Sequence, residues 1–308
     1  MLRAAGLPAL RWSWAGVADD DLGQGGGPVF RFAPSPNGEL HLGHAYSALL
    51  NHDLAQAAAG TLLLRLEDID RERCREAFAT AIRDDLAWLG VVTSGVPRRQ
   101  SEHFAIYRAA LDRLAARGLV YPCFCSRGAI LAATAASARA VDPDGAPLYP
   151  GTCRRLEPAD RARWLARGRP SGLRLDMTRA LAELPEPLAW QERAENGDGP
   201  MVAADPAAWG DALLARKEMP TSYHVSVVVD DAAQGVTDVV RGRDLFRATG
   251  LHRLLQALLG LPAPRYRHHR LVLDVDGHKL SKSRRAPSLR DLRRHGVSPA
   301  EVRRRVGL

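Results

Sequence analysis

Arg31-Phe32-Ala33-Pro34-Ser35-Pro36-Asn37-Gly38-Glu39-Leu40-His41-Leu42-Gly43-His44-Ala45 is the stretch from which the fold can be read. Pro34 and Pro36 fix φ and force an extended lead-in, and Asn37-Gly38 is a turn pair. A helix is expected from near Leu40, because His41 to Ala58 holds good helix formers with apolar residues at Leu42, Ala45, Leu49 and Leu54. The start of that helix would offer free N–H groups and a positive dipole end to an anion. Taken alone, two histidines at a helix start are often a structural feature with no ligand.

Far downstream, 235 residues after His44, stands Lys279-Leu280-Ser281-Lys282-Ser283. Alone it is a weak signal, since such strings occur by chance in basic surface loops. In this order, His41-Leu42-Gly43-His44 and the KLSKS string resemble the HIGH and KMSKS signatures of class I aminoacyl-tRNA synthetases. The flanking RFAPSPNGE narrows the resemblance to the glutamyl branch.

The chemistry of that family fits these residue types. Activating an amino acid brings a carboxylate onto the α-phosphate of ATP, so catalysis consists mostly of positioning and charge stabilisation. The resemblance implies that His41 and His44 donate to the α-phosphate, and that Gly43 lets adenine or ribose approach the backbone. Lys279 and Lys282 would neutralise the leaving pyrophosphate, with Lys282 also binding ATP, on a loop of the kind that closes on substrate. Magnesium would bridge the phosphates, although no dedicated Mg2+ cage is visible in the sequence.

A glutamate substrate needs cationic anchors for two carboxylates and a partner for its ammonium group. By resemblance, Arg31 and Tyr223 take the side-chain carboxylate and Arg241 the α-carboxylate. Glu67 with Ser35 takes the amine, and Ala33 lines the same pocket. Outside such motifs any one of these arginines would read as a surface or ion-pair residue.

Elsewhere the sequence reads as alternating strands and helices. Gly60 to Leu66 is a short apolar run expected as a buried parallel strand, with Glu67-Asp68-Ile69-Asp70 at its carboxyl end, where open α/β sheets bind ligands. Helices are expected over Phe78–Leu89 and Phe104–Arg117. Tyr223 to Asp231, rich in valine, reads as another buried strand, followed by Val239 to Leu245.

Cysteine supplies a separate signal. Four cysteines, Cys74, Cys123, Cys125 and Cys153, are too few for a disulfide framework in a chain of 308 residues. Cys123-Phe124-Cys125 and Cys153 can converge on zinc, and a tetrahedral site wants a fourth ligand. Cys153 is followed by Arg154-Arg155, which departs from the C-x-H of zinc-carrying full-length glutamyl enzymes. Tyr149-Pro150-Gly151-Thr152-Cys153 is instead similar to the Y-x3-C arrangement of a shorter family, the glutamyl-Q tRNA(Asp) synthetases, in which tyrosine completes the site. Three cysteines with water, or no metal, remain the alternatives, and Cys74 reads as a free thiol.

Charge is uneven along the chain. From Leu261 onward there are 13 Lys or Arg against 4 Asp or Glu, whereas the first 260 residues hold 30 against 31. A cluster of that kind around the KLSKS loop suits a phosphate-rich partner, although any single arginine there reads as ordinary solvated surface. No apolar run approaches the roughly 18 residues that span a bilayer. The first 27 residues lack a hydrophobic core followed by a cleavage-like site, and a loose tail or an overlong start assignment is expected there.

Only 25 residues follow Ser283, where full glutamyl-tRNA synthetases continue into a helical anticodon-binding region. Val227 also stands where the full-length pattern often has asparagine. Both departures favour the shorter family, and the expected class is α/β, a Rossmann-like parallel sheet split by a tRNA-stem-contacting insertion with a small zinc-binding element. The expected division is 1–27 tail, 28–120 first catalytic half, 121–218 zinc element and insertion, 219–287 second catalytic half, and 288–308 short basic tail. The resemblance implies a monomeric cytoplasmic enzyme with no membrane contact, using ATP, Mg2+ and Zn2+ to activate L-glutamate without tRNA. It would transfer the glutamate to queuosine at the wobble position of tRNA(Asp). The alternatives are a glutamyl-tRNA synthetase that charges a tRNA 3′ end and a catalytically silent regulator; retention of both histidines and both lysines weighs against silence.

Overall fold

The computed structural model describes residues 26–135, 141–194, 197–274, 277–278, 280 and 287–308. The expected N-terminal tail therefore lies, up to residue 25, outside the described residues. Strand β1 (Val29–Phe32) leads through the proline segment into helix α1 (Leu42–Ala57), then β2 (Thr61–Leu66), α2 (Glu76–Trp88), β3 (Ser94–Arg99) and α3 (Phe104–Ala116). The turn before β2 is tight because Gly60 packs on the chain: a Cβ there would stand 2.3 Å from the Pro28 carbonyl oxygen.

The next stretch holds β4 (Val120–Cys123), α4 (Arg127–Thr134), α5 (Pro158–Ala166), β5 (Gly172–Leu175), α6 (Met177–Ala182), β6 (Ala189–Ala194), β7 (Gly197–Ala203) and β8 (Leu213–Ala215). It divides in two. Strands β4, β5 and β8 form a small antiparallel sheet, whereas β6 pairs in parallel with a strand of the main sheet and carries β7 antiparallel at its edge. Residues 121–218 are thus not one separate body.

The chain returns through α7 (Tyr223–Ala233), β9 (Asp238–Gly242), α8 (Ala248–Leu259), β10 (Arg265–His269), α9 (Leu289–Arg294) and α10 (Pro299–Val306). The main sheet has the order β3-β2-β1-β9-β10-β6-β7 and is parallel except for β7. The order reverses between β1 and β9, which is where an open α/β sheet binds its ligand.

Two expectations need correction. Tyr223–Asp231 is the greater part of helix α7 rather than a strand. Seven consecutive residues from Val225 to Asp231 are buried on every side, and an apolar run with burial all round carries no periodicity by which to separate a strand from a helix. Residues 288–308, read as a basic tail, form α9 and α10. Leu289, Val302 and Val306 are fully buried against the α1 side of the sheet, and Arg303 clasps Asp53 of α1 through two bonds of 2.8 and 2.9 Å.

Side-chain alternation along the first two strands sets up the site. Phe30, Phe32, Leu62, Leu64 and Leu66 join the cluster around α1, while Arg31 and Arg65 point the other way, onto α7.

Candidate active site

At the start of α1 the two histidines cap the helix themselves. The Nδ1 atom of His41 accepts the Gly43 N–H at 3.1 Å, and Nδ1 of His44 accepts the His41 N–H at 3.2 Å, with ring centroids 3.9 Å apart. Both Nδ1 atoms being acceptors, each neutral ring carries its proton on Nε2. Gly43 leaves room for this fold-back: a Cβ there would stand 3.0 Å from Cε1 of His41, so the ring would have to shift.

Lys279 and Lys282 lie outside the described residues, as do Ser281 and Ser283. What flanks them is fixed. Leu280 N–H donates to Val272 O at 3.3 Å, Leu289 N–H donates to Leu40 O at 2.8 Å, and His41 bridges Ser288. Downstream of the KLSKS string, Ser288 and Leu289 therefore lie beside the start of α1.

Behind β1 and β2 is a buried charge cluster. Asp231 Oδ1 accepts from Arg65 Nη1 at 2.8 Å and from Arg31 Nε at 3.2 Å, and Arg65 Nη2 reaches Glu67 Oε1 at 3.5 Å. Against the burial that would raise it, Arg65 and Arg31 hold the Asp231 carboxyl below the usual carboxylate range. Burial wins at Glu67 and pushes its carboxyl up to about 7, although Arg65 and Arg31 pull it down. The Glu67 N–H donates to Pro34 O at 3.1 Å, so the segment bearing Ala33 and Ser35 lies against the end of β2. Asp230 next to it accepts from Arg98, Gln100 and Tyr107 at 2.9, 2.8 and 2.7 Å, which pins α7 to β3 and α3.

On β9, Arg241 is surrounded. Its Nε donates to His268 Nε2 at 3.2 Å, Nη1 to His252 Nδ1 at 3.1 Å and to the Tyr223 hydroxyl at 3.5 Å, and Nη2 to Thr249 Oγ1 at 2.8 Å and Leu245 O at 3.2 Å. All five N–H groups of the guanidinium thus face protein acceptors, and the Tyr223 contact is the longest. Burial pushes the Tyr223 hydroxyl up to about 12 against the pull of Arg241, so it keeps a proton to donate; Glu67, Arg31 and Asp231 act on the same hydroxyl. Arg31, Glu67, Tyr223 and Arg241 are therefore brought together at the carboxyl ends of β1, β2 and β9. A cleft lined by Tyr46, Glu192, Arg243, Phe246, His268 and His269 opens beside them.

The sulfur atoms of Cys123, Cys125 and Cys153 lie within 4.8 Å of one another. The Tyr149 hydroxyl stands 3.4 Å from Cys125 Sγ and accepts the Cys153 N–H at 2.8 Å, and the Arg174 guanidinium lies 3.9 Å from its ring centroid. Burial raises the Cys125 thiol. At Cys153 burial is outweighed by hydrogen bonds from Tyr149, the Phe124 N–H and Cys125, which hold the thiol below its ordinary value. Sulfur spacing of this kind suits tetrahedral coordination. Burial and the neighbouring cysteines push the Tyr149 hydroxyl up, and the Cys153 N–H pulls it the other way. Cys74 stands apart, its Sγ 3.9 Å from Glu67 O.

Sequence reasoning passed over Arg65, Asp230, Asp231, Glu192, His252 and His268. One signal was present: an arginine inside Leu62-Leu63-Leu64-Arg65-Leu66 has to be buried and therefore paired, here at 0% exposure. The histidines gave none, being scattered over the last hundred residues without a motif.

The sequence matches the family described as tRNA synthetases class I (E and Q), catalytic domain, over residues 29–308. It is similar to the glutamyl-Q tRNA(Asp) synthetase of Rhodobacter capsulatus, 47% identical over 297 residues, covering 91% of this chain and 100% of that protein. A namesake from Symbiobacterium thermophilum is 41% identical over 280 residues, covering 88% and 83%. A solved glutamate tRNA ligase from Elizabethkingia meningosepticum, in complex with its amino acid, superposes with a TM-score of 0.68 at 27% identity, covering 87% of this chain. The chain spans about half of that ligase, 53% of its length. It belongs to the class I tRNA synthetases of the E and Q type and, among them, to the glutamyl-Q tRNA(Asp) synthetase family.

Proposed function

We propose that the protein activates L-glutamate with ATP, without needing tRNA, and transfers the glutamyl group to the queuosine base at the wobble position of tRNA(Asp). The observation that carries the first step is the cluster of Arg31, Tyr223 and Arg241 with Glu67, set where the sheet order reverses. A glutamate carboxylate oxygen bonds to the α-phosphorus as its bond to the bridging oxygen breaks and pyrophosphate leaves. In the second step an acceptor group of the queuosine base takes the acyl carbon and AMP departs.

Within that reading, Nε2–H of His41 and His44 donates to the α-phosphate, Gly43 admits the nucleoside, and Lys279 and Lys282 offset the charge of pyrophosphate. Arg31 and Tyr223 take the side-chain carboxylate, while Glu67, with Ser35 and Ala33 beside it, takes the ammonium group. Arg241 takes the α-carboxylate, which replaces its 3.5 Å contact to Tyr223. Mg2+ is the expected companion of ATP. Cys123, Cys125, Cys153 and Tyr149 would hold Zn2+, whose contribution is to stiffen the loop pair that carries them. The enzyme would act as a monomer in the cytoplasm; no helix among the described residues is long and apolar enough to cross a membrane.

The acceptor reading is supported by similarity to a protein of that name along its whole length. The test is glutamate-dependent ATP–pyrophosphate exchange without tRNA, followed by labelled-glutamate transfer to tRNA(Asp) with and without queuosine. Exchange and queuosine-dependent labelling are expected. Absence of exchange overturns the activity, and labelling of tRNA(Glu) at its 3′ end overturns the acceptor. Lys282→Ala should abolish exchange and leave the fold intact.

A further inference from the structure

Arg241 sits in the middle of a line of side chains whose donor and acceptor order is forced. A guanidinium has only N–H donors, so His268 Nε2 and His252 Nδ1 must both turn a lone pair to it. His268 then carries its proton on Nδ1, where Glu192 Oε2 takes it at 2.9 Å. His252 carries its proton on Nε2, 3.1 Å from Nδ1 of His224. The line runs from Glu192 on β6, through β10, β9 and α8, to His224 on α7. Thr249 Oγ1 also lies 3.1 Å from His268 Nε2 and ties the two sides together.

We infer that His252 and His268 are positioning residues for amino-acid recognition: as neutral acceptors they hold the Arg241 guanidinium in one orientation, ready for a carboxylate. This rests on the reading of Arg241 as a carboxylate ligand. Burial, with Arg241 adding to it, lowers both His252 and His224, the latter to about 4; burial also lowers His268, although Glu192 pulls the other way. A positively charged ring at either position would have no lone pair for Arg241. The remaining acceptors, Leu245 O, Thr249 Oγ1 and the distant Tyr223 hydroxyl, leave Nε and one side of Nη1 unopposed once the imidazoles are removed.

The test compares His252→Leu with His252→Gln in tRNA-independent exchange, reading KM for glutamate and KM for ATP separately. Leucine fills the space without an acceptor, whereas glutamine can accept from Arg241 through its oxygen and donate to His224 through its nitrogen. The leucine variant should raise the glutamate KM about tenfold or more with the ATP KM unchanged, and glutamine should restore it to within about threefold of wild type. His268→Leu should do the same. If His252→Leu fails to fold, His252→Asn, whose shorter amide cannot reach both partners, takes its place. An unchanged glutamate KM, equal rises in both KM values, or a glutamine variant as poor as leucine would overturn the inference. Wild-type protein without exchange would instead overturn the proposed function.

Discussion

Arg65 Nη1 and Asp231 Oδ1 lie 2.8 Å apart inside the protein, with side-chain exposures of 0% and 6%, and the same oxygen holds Arg31. One carboxylate therefore offsets two buried guanidinium groups, and Asp231 is the point on which the cationic side of the pocket depends. Removing one partner of a buried ion pair leaves an uncompensated charge, which costs far more than the pair gains. Asp231→Ala should destabilise the fold by about 3–5 kcal/mol. Urea unfolding at neutral pH checks this, and a loss below about 1 kcal/mol would show that Arg31 and Arg65 do not rely on Asp231.

Glu67 gives a pH signature of known sign. Its folded carboxyl titrates at about 7 and its ordinary value is 4.5, so between the two the folded chain binds the proton more tightly than the unfolded chain. Stability from this group is therefore lost as pH rises through that window, by at most about 1.4 kcal/mol per pH unit. Glu67→Gln removes the slope. The stability of this variant relative to wild type should grow between about pH 5 and about pH 7, and a constant difference would refute the raised carboxyl.

For the cysteine cluster the readout is metal content. Purified protein should hold about one zinc per chain, and Cys125→Ser should lose it and melt at a lower temperature. Chelation should reproduce that drop in the wild type and not in the variant. A stoichiometry near zero in wild-type protein would remove the zinc reading.

His41 combines a cap with a phosphate contact, and two substitutions separate them. Asparagine caps helices well without an imidazole, whereas alanine does neither. Both His41→Asn and His41→Ala should lower exchange on the order of 10²–10³-fold, the usual scale for one lost transition-state donor. Only alanine should also cost about 1 kcal/mol of stability. Near-normal exchange in the asparagine variant would mean that the ring serves the helix alone.

Much of this architecture was legible where local chemistry and tertiary position agree. Helix α1 begins two residues after the expected Leu40, and β2 lies inside the expected Gly60–Leu66 run, because proline, turn and apolar signals there coincide. Helix α7 was misread, since its valines report burial without revealing which backbone is buried. Arg31, Glu67, Tyr223 and Arg241 stand in readable strings, but the partners that orient them do not. Asp231 meets Arg31 across 200 residues and Glu192 meets His268 across 76, distances over which a sequence carries no periodicity. Helices α9 and α10 were hidden by arginines whose charged faces mask the few apolar residues, Leu289, Val302 and Val306, that do the packing.

That packing has a consequence for the order in which the chain is made. Helix α1 is complete at residue 57, yet α10 and the Arg303–Asp53 clasp that cover it come some 250 residues later, and β9, which closes the second edge of β1, about 200 later. At about 5–20 residues per second, a ribosome leaves the α1 surface without its cover for roughly 10–50 s. Until β9 emerges, β1 presents an unpaired edge to its surroundings. Until α10 emerges, the growing chain thus carries an open sheet in need of shielding, and a late helix seals the surface of an early one.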